Sequence, residues 1–243
     1  MAICPGQFCG SHINPMSNPS IRLAIFDMAG TTVHDNHYVQ KIFLKSFAQF
    51  GLRITPQQAN SVMGLEKNKA IRGLLEQLGA SQAQRTLAGE IYQHFIRESV
   101  SFYLRHSRPA PYSLSCFNTL RRHGILIALN TGFSEVIMNT IIRCLDWNHR
   151  IDDRISSDQV RAGRPEPFMI RRLQYRLKID DPSRIAKIGD TPSDLLEGAI
   201  CGLNIGICSG NFPREELMKY PHTHLVENLK SAAEIIINHR EAV

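Results

Sequence analysis

Apolar positions along this chain follow two rhythms. Short continuous apolar runs that stop at a turn alternate with longer stretches of three-four spacing. The first short run is IRLAIFD, Ile21 to Asp27, which meets the small turn Gly30-Thr31-Thr32. Its length and lack of alternation predict a strand buried on both faces, as in a parallel sheet. GILIALNTG with Thr131 at its end, RIAKIGD ending at Asp190, and LNIGICSG ending at Ser209 and Gly210 read the same way. From Tyr38 to His106 the helix period takes over, with no strand signal. YVQKIFLKSFAQFGL carries apolar residues at helical spacing. Pro56 after Thr55 predicts a capped helix start. KNKAIRGLLEQLG predicts an amphipathic helix stopped by Gly79. The stretch from Ser81 to Ser107 predicts one long helix with Ser81 as its cap. The prolines of RPAPY, Arg108 to Tyr112, then mark a return to strand-helix alternation.

This pattern implies an α/β fold, a parallel sheet flanked by helices and interrupted by a helical insertion. Residues 20–35 and 108–243 are expected to form the core, residues 36–107 the insertion, and residues 1–19 a disordered tail. A length of 243 residues suits one such domain with an insertion. Open parallel sheets bind ligands beyond the carboxyl ends of their strands. Asp27, Thr131, Asp190 and Ser209 are all expected there.

Charge and composition add limits. The net charge of +6 suits an anionic substrate. No dense run of Lys and Arg with interleaved aromatics is present, so no nucleic-acid partner is expected. Six cysteines without a CxxC pair imply reduced thiols and a cytoplasmic protein. The first twenty residues lack the basic and apolar regions of a signal peptide. No segment is apolar for long enough to span a membrane, and no membrane partner is expected. Cys4, Cys9 and His12 read as part of a loose tail rather than as a metal site.

Four pieces at the expected strand ends form a chemical set. Asp27 can attack phosphorus as a carboxylate nucleophile and form an acyl phosphate. The Thr131 hydroxyl and nearby backbone N–H groups can bind non-bridging oxygens. Arg164, in AGRPEP, can neutralise developing negative charge with fixed donors. Asp190, with Asp194 in GDTPSD, can join Asp27 in holding a hard cation such as Mg²⁺. Each piece alone is common as a turn or a helix cap. Their joint occurrence in this order carries the reading.

FDMAGT, LNTG, GRPEP and GDTPSD, with a helical segment inserted after the first, resemble the haloacid dehalogenase-like hydrolases. The resemblance covers Ile21 to the C-terminus. It implies a Rossmann-like core, a helical cap that closes over the site, Mg²⁺, and an aspartyl-phosphate intermediate. Phosphatases of that family carry an acid two residues after the nucleophile, which protonates the leaving alkoxide; here Ala29 stands in its place. DMAGTTV, the Gly-Arg-Pro setting of Arg164 and MGLEK, Met63 to Lys67, resemble the phosphonatase branch, which cleaves the carbon–phosphorus bond of phosphonoacetaldehyde. That branch implies that Lys67 forms an imine with the aldehyde. Carbon then leaves as an enamine, and no alkoxide needs the missing acid.

The same resemblance implies Asp27, the Ala29 carbonyl and Asp190 as metal ligands, with Asp194 in support. Thr131 and Arg164 would bind the phosphonyl group, and a homodimer would form through the cap. Two other readings of the set stand beside this one. Lys67 could grip substrate in a phosphomonoesterase of the phosphoglycolate-phosphatase type, or the chain could be a catalytically idle binding protein. The idle reading gives no reason for a nucleophile to be retained. The chain departs from the branch at Met28, His37, Ala70 and Phe133, which stand for Trp, Cys, His and Tyr. His37 is expected to take over part of the proton handling.

Overall fold

The structure, a computed structural model, describes residues 20–208 and 212–239. The tail with Cys4, Cys9 and His12 lies outside these residues, as do Ser209 and Gly210. Strand β1 (Leu23–Phe26) is followed by five helices: α1 (Tyr38–Ala48), α2 (Pro56–Ser61), α3 (Lys67–Gln77), α4 (Gln82–Thr86) and α5 (Ala88–His106). Then come α6 (Ser113–Arg122), β2 (Leu126–Thr131), α7 (Glu135–Cys144), β3 (Asp153–Ser156) and α8 (Phe168–Arg176). The chain ends with β4 (Ile185–Gly189), α9 (Pro192–Glu197), β5 (Leu203–Ile207), α10 (Arg214–Leu217), β6 (His224–Val226) and α11 (Leu229–Asn238). The strands form one parallel sheet in the order β3-β2-β1-β4-β5-β6.

Local chemistry accounts for the helix starts. Thr55 and Ser81 each form a capping box, with Gln58 and Gln84 returning the bond, as their sequence positions suggested. The long helix expected after Ser81 instead divides at Leu87. The Thr86 hydroxyl donates to the Ala83 carbonyl at 2.6 Å, and Leu87 N–H turns to the Gln84 carbonyl, so the α-helical ladder is interrupted. Strands β3 and β6 carry no apolar run. β3 opens on Asp153 and Arg154, and β6 has three residues with His224 exposed. Short strands such as β6, and charged ones such as β3, protect the edges of a sheet against further pairing. Strand β5 stops at Ile207, two residues before Ser209.

Alternate residues of β1 serve two faces. Leu23 and Ile25 pack with Ala128, Ile155 and Met169 on one side. Ala24 and Phe26 join Leu129, Ile188 and Phe117 on the other, in a core that continues into the insertion through Phe43 and Phe95. Two chain segments tie the insertion to the sheet. Val33 bridges to Pro109, and His34 N–H donates to the Arg108 carbonyl at 2.9 Å. The strand order reverses at β1 and β4, the place where open α/β sheets leave a crevice. Asp27 and Asp190 follow these two strands directly, with Asp27 N–H donating to the Ile188 carbonyl at 2.9 Å.

Candidate active site

The turn after β1 brings the first carboxylate into the crevice. N–H groups of Thr31, Thr32 and Val33 all converge on the Met28 carbonyl, and the Thr32 hydroxyl donates to the Asp27 carbonyl at 2.8 Å. Gly30 sits at φ +95°, and a Cβ there would lie 2.3 Å from Asp190 Oδ2. Glycine therefore serves both the turn and the approach of the second carboxylate.

Arg164 lies under these groups, fully buried. Its Nη1 donates to Asp27 Oδ1 at 2.7 Å and lies 3.0 Å from Asp194 Oδ1. Its Nε donates to Glu197 Oε2 at 2.9 Å, and Nη2 donates to both the carbonyl and Oδ1 of Asn130. A longer contact of 3.4 Å joins Nη1 to the Gly64 carbonyl of the insertion. The sequence reading assigned Arg164 to phosphonyl oxygens; here its donors rest on protein groups, with Nη1 against Asp27. Lys187, in the middle of β4, donates to Asp194 Oδ1 at 2.6 Å, and Thr191 donates to Asp194 Oδ2 at 2.6 Å. The Thr31 hydroxyl donates to Asp190 Oδ1 at 2.8 Å.

Lys187, Glu197 and Asn130 were not singled out from the sequence. A lone lysine inside an otherwise apolar buried strand was one available signal. The positions of Asp190, Asp194 and Glu197, three and four residues apart as on one helical face, were another.

Burial dominates the titration of these groups, and their neighbours decide the outcome. It raises Asp27 above the usual carboxylate range despite the opposing Arg164 charge. It raises Asp190 well above that range, and Asp27 and Asp194 push it the same way. For Asp194 burial is outweighed by Arg164 and Lys187, which hold the carboxyl below its ordinary value. The residues fit a divalent cation on three counts. Asp27, Asp190 and Asp194 each present an oxygen within 4.8 Å of the others. Asp190 Oδ2 is buried without a hydrogen-bond partner among the described residues. Four buried carboxylates against the two cations Arg164 and Lys187 leave two negative charges uncompensated when all are ionised. Oxygen donors with excess negative charge are the surroundings that hard cations take.

The helical insertion closes the crevice from above. A Cβ on Gly132 would lie 2.4 Å from the Leu65 carbonyl, and one on Gly64 would lie 2.1 Å from Ser193 Oγ. Backbone therefore packs directly on backbone between Gly64-Leu65 and the loop after β2. The cavity that remains measures about 20 Å³ and is lined by Asp27, Ala29, Asp35, Lys67, Thr131 and Phe133 among others. That volume holds roughly one water. Thr131 Oγ1 accepts the Phe133 N–H at 3.2 Å and faces this space.

Lys67 opens α3 and is 3% exposed. Its Nζ donates to the Leu65 carbonyl at 2.9 Å and lies over the rings of Phe133 and Phe43, at 5.5 and 5.7 Å. Burial lowers its pKa to about 8, against the pull of Asp27 and with help from Arg164. The helix N-terminus also disfavours the charged form. At pH 7 about one amine in ten is then neutral, against roughly one in 3000 for a free lysine. Glu66, the neighbour that could oppose this, is not among the charges that act most on Lys67.

His37 does not reach this cavity. It is exposed and lines a separate cleft of about 450 Å³, so the structure gives it no contact through which to handle protons beside Lys67.

Comparison with known proteins places the chain in a family. A family model described as haloacid dehalogenase-like hydrolase matches residues 21–202. Phosphonoacetaldehyde hydrolase from Pseudomonas fluorescens (strain Pf0-1) is 30% identical over 209 residues, covering 80% of this chain and 76% of that protein. The protein of the same name from Bacillus cereus (strain B4264) is 29% identical over 203 residues, covering 79% and 77%. A solved phosphonoacetaldehyde hydrolase-like protein from Oleispira antarctica superposes with a TM-score of 0.77 at 18% identity, over 100% of both chains. A protein described as a predicted phosphoglycolate phosphatase from Haemophilus somnus 129pt gives 0.72 at 14% identity, over 89% and 98%. At such identities the structural likenesses establish the fold alone. No helix among the described residues is long and apolar enough to cross a membrane.

Proposed function

This chain belongs to the haloacid dehalogenase-like hydrolase family, and we propose that within it the protein cleaves the carbon–phosphorus bond of a small carbonyl phosphonate. Phosphonoacetaldehyde is the leading substrate, with acetaldehyde and phosphate as products. The observation that carries this reading is the pairing of Lys67 and Asp27 in one cavity, with Ala29 where an acid would otherwise stand. A carbon leaving group departs with an electron pair that needs a sink, and an iminium on Lys67 is such a sink. An alkoxide leaving group would need a proton, which Ala29 cannot give.

In this mechanism Asp27 Oδ attacks phosphorus while Arg164 steadies the carboxylate and its developing charge. The Thr131 hydroxyl and adjacent N–H groups receive phosphonyl oxygens. The neutral amine of Lys67 adds to the aldehyde, and the surrounding Phe43 and Phe133 faces limit water at that bond. Asp27, the Ala29 carbonyl and Asp190 would hold Mg²⁺, with Asp194 in support, and the ion supplies charge that lets an anionic nucleophile approach an anionic substrate. The 20 Å³ cavity requires the insertion to lift before substrate enters.

A second reading, a phosphomonoesterase acting on a small ester such as phosphoglycolate, draws on the structural neighbour described in those terms. The deciding experiment compares phosphate release from phosphonoacetaldehyde and phosphoglycolate, and maps any borohydride-reduced adduct by peptide mass spectrometry. A two-carbon adduct on Lys67 is expected. Lys67→Arg keeps the charge but forms no imine, so it should lower turnover of the phosphonate by at least about a thousandfold. Retained turnover in Lys67→Arg would favour the phosphomonoesterase.

A further inference from the structure

The cavity wall around Lys67 carries three titratable side chains, Asp27, Lys67 and Asp35. The first two have roles in the proposed reaction. Asp35 has none, and both Ala29 and the exposed His37 leave the site without another proton carrier. Asp35 Oδ1 accepts the N–H groups of Tyr38 at 2.9 Å and Val39 at 3.2 Å, which caps the start of α1. Its Oδ2 makes no hydrogen bond to a described residue. Among the described residues Asp35 is also the single one that lines both this cavity and the 450 Å³ cleft, where His34, His37, Tyr112 and Glu227 are the other titratable groups.

We propose that Asp35 is the proton carrier of the site, moving protons between Lys67 and water in the neighbouring cleft. The proposal rests on the reading of Lys67 as the imine former. The Lys67 ammonium gives a proton to the Asp35 carboxylate. The freed lone pair forms the carbon–nitrogen bond as the carbonyl π pair moves onto oxygen. One nitrogen-bound proton moves to that oxygen, and Asp35 returns its own. The oxygen leaves as water, the carbon–nitrogen double bond forms, and Asp35 is a carboxylate again. Ammonium and aldehyde have become iminium and water, with no net proton consumed.

The charges around Asp35 suit such traffic. Its own charge is felt by Lys67, Asp190 and Tyr103. Across the small cavity it faces Asp27 and Lys67, and on the cleft side His34, His37, Tyr112 and Glu227. An acceptor for the Lys67 proton that also opens toward solvent can reload between steps without the insertion lifting.

A helix cap alone would explain the Asp35 side chain equally well, so the test must separate the two. Asn matches Asp as a cap acceptor but carries no exchangeable carboxyl proton. The holoprotein and Asp35→Asn are compared for adduct formation on Lys67 with phosphonoacetaldehyde and borohydride, and for phosphate release, across neutral pH with and without formate. Asp35→Asn is expected to slow both about a hundredfold, in the range for a lost general acid–base. Formate should restore part of the rate, and the acidic limb of the pH profile should move. Unchanged rates and an unchanged profile, with a normal adduct, would overturn the role of Asp35 while leaving the imine intact. A loss that formate does not relieve, with reduced thermal stability, would assign Asp35 to capping and overturn the proposal. No adduct on Lys67 in the parent protein would overturn the imine reading, and this inference with it.

Discussion

Beneath the strand ends, Arg164 and Lys187 face carboxylates at hydrogen-bond distance, and Asn130, Thr191 and Thr31 occupy further oxygens. At the tip of the insertion Lys67 is as deeply buried, yet it rests on one carbonyl and two aromatic faces with no carboxylate bonded to it. Low dielectric acts on both regions. In the core it makes each charge depend on a partner, and the network fixes geometry. In the insertion it destabilises a single charge, and the result is an amine near neutrality. One region sets where the Asp27 carboxylate points; the other sets which protonation state an amine prefers.

If that contrast is sound, cutting one partner from the core network should cost far more than neutralising the lysine. Glu197 Oε2 accepts from both Asn130 and Arg164. Glu197→Ala leaves Arg164 with an unpaired Nε inside the protein, and breaking a buried pair in this way costs about 3–5 kcal/mol. Urea or thermal unfolding should show that loss, along with a fall in turnover as Arg164 loses its fixed direction toward Asp27. A loss below about 1 kcal/mol would mean that the network is loosely held and that the contrast is weaker than drawn.

The opposite sign is expected for Lys67→Met. Folded Lys67 titrates at about 8, below its ordinary 10.5. Between these values the unfolded chain holds the extra proton, so the folded state gains stability as pH rises through this window. Below it the buried charge costs the fold roughly 3 kcal/mol, at about 1.36 per unit. Lys67→Met should therefore be more stable than the parent at pH 7 by up to about that amount, while losing turnover. The gap should narrow as pH rises from 8 to 10.5, and a gap independent of pH would remove Lys67 from the account.

The two regions were not equally readable. Asp27, Asp190 and Thr131 were legible because each ends an apolar run, and the period of the run fixes which way the chain is going. Lys67 was legible through MGLEK rather than through physics, since its burial depends on Phe43 and Phe133, 24 and 66 residues away. The partners of Arg164 were hidden for a related reason: Asn130 on β2 and Glu197 on α9 meet the Arg164 loop only when the fold brings a strand, a helix and a loop together. Asp35 was not singled out from the sequence, and its place between two cavities follows from how the insertion joins the sheet. Strand β3 escaped because charge, which protects a sheet edge, erases the apolar signal, and β6 because three residues are too few to carry one.

The smallest expected effect sharpens the comparison through the core's excess negative charge. Asp190 Oδ2 has no hydrogen-bond partner among the described residues, and burial and the Asp27 and Asp194 charges raise its pKa. A divalent cation would supply the missing charge and displace a proton there. At about ten times its Kd, Mg²⁺ would stabilise the fold by roughly 1.4 kcal/mol. For a chain of this size that raises Tm by about 3–6 °C. Asp190→Asn keeps an oxygen for the Thr31 hydroxyl but loses the charge, so its Tm should not respond to Mg²⁺. Lys67→Met, altered only in the insertion, should respond as the parent does. Because a proton competes at Asp190, the parent's shift should shrink as pH falls. Differential scanning fluorimetry with and without Mg²⁺ at two pH values reads all of these. An equal shift in Asp190→Asn would place the cation elsewhere and detach the metal from the strand-end network.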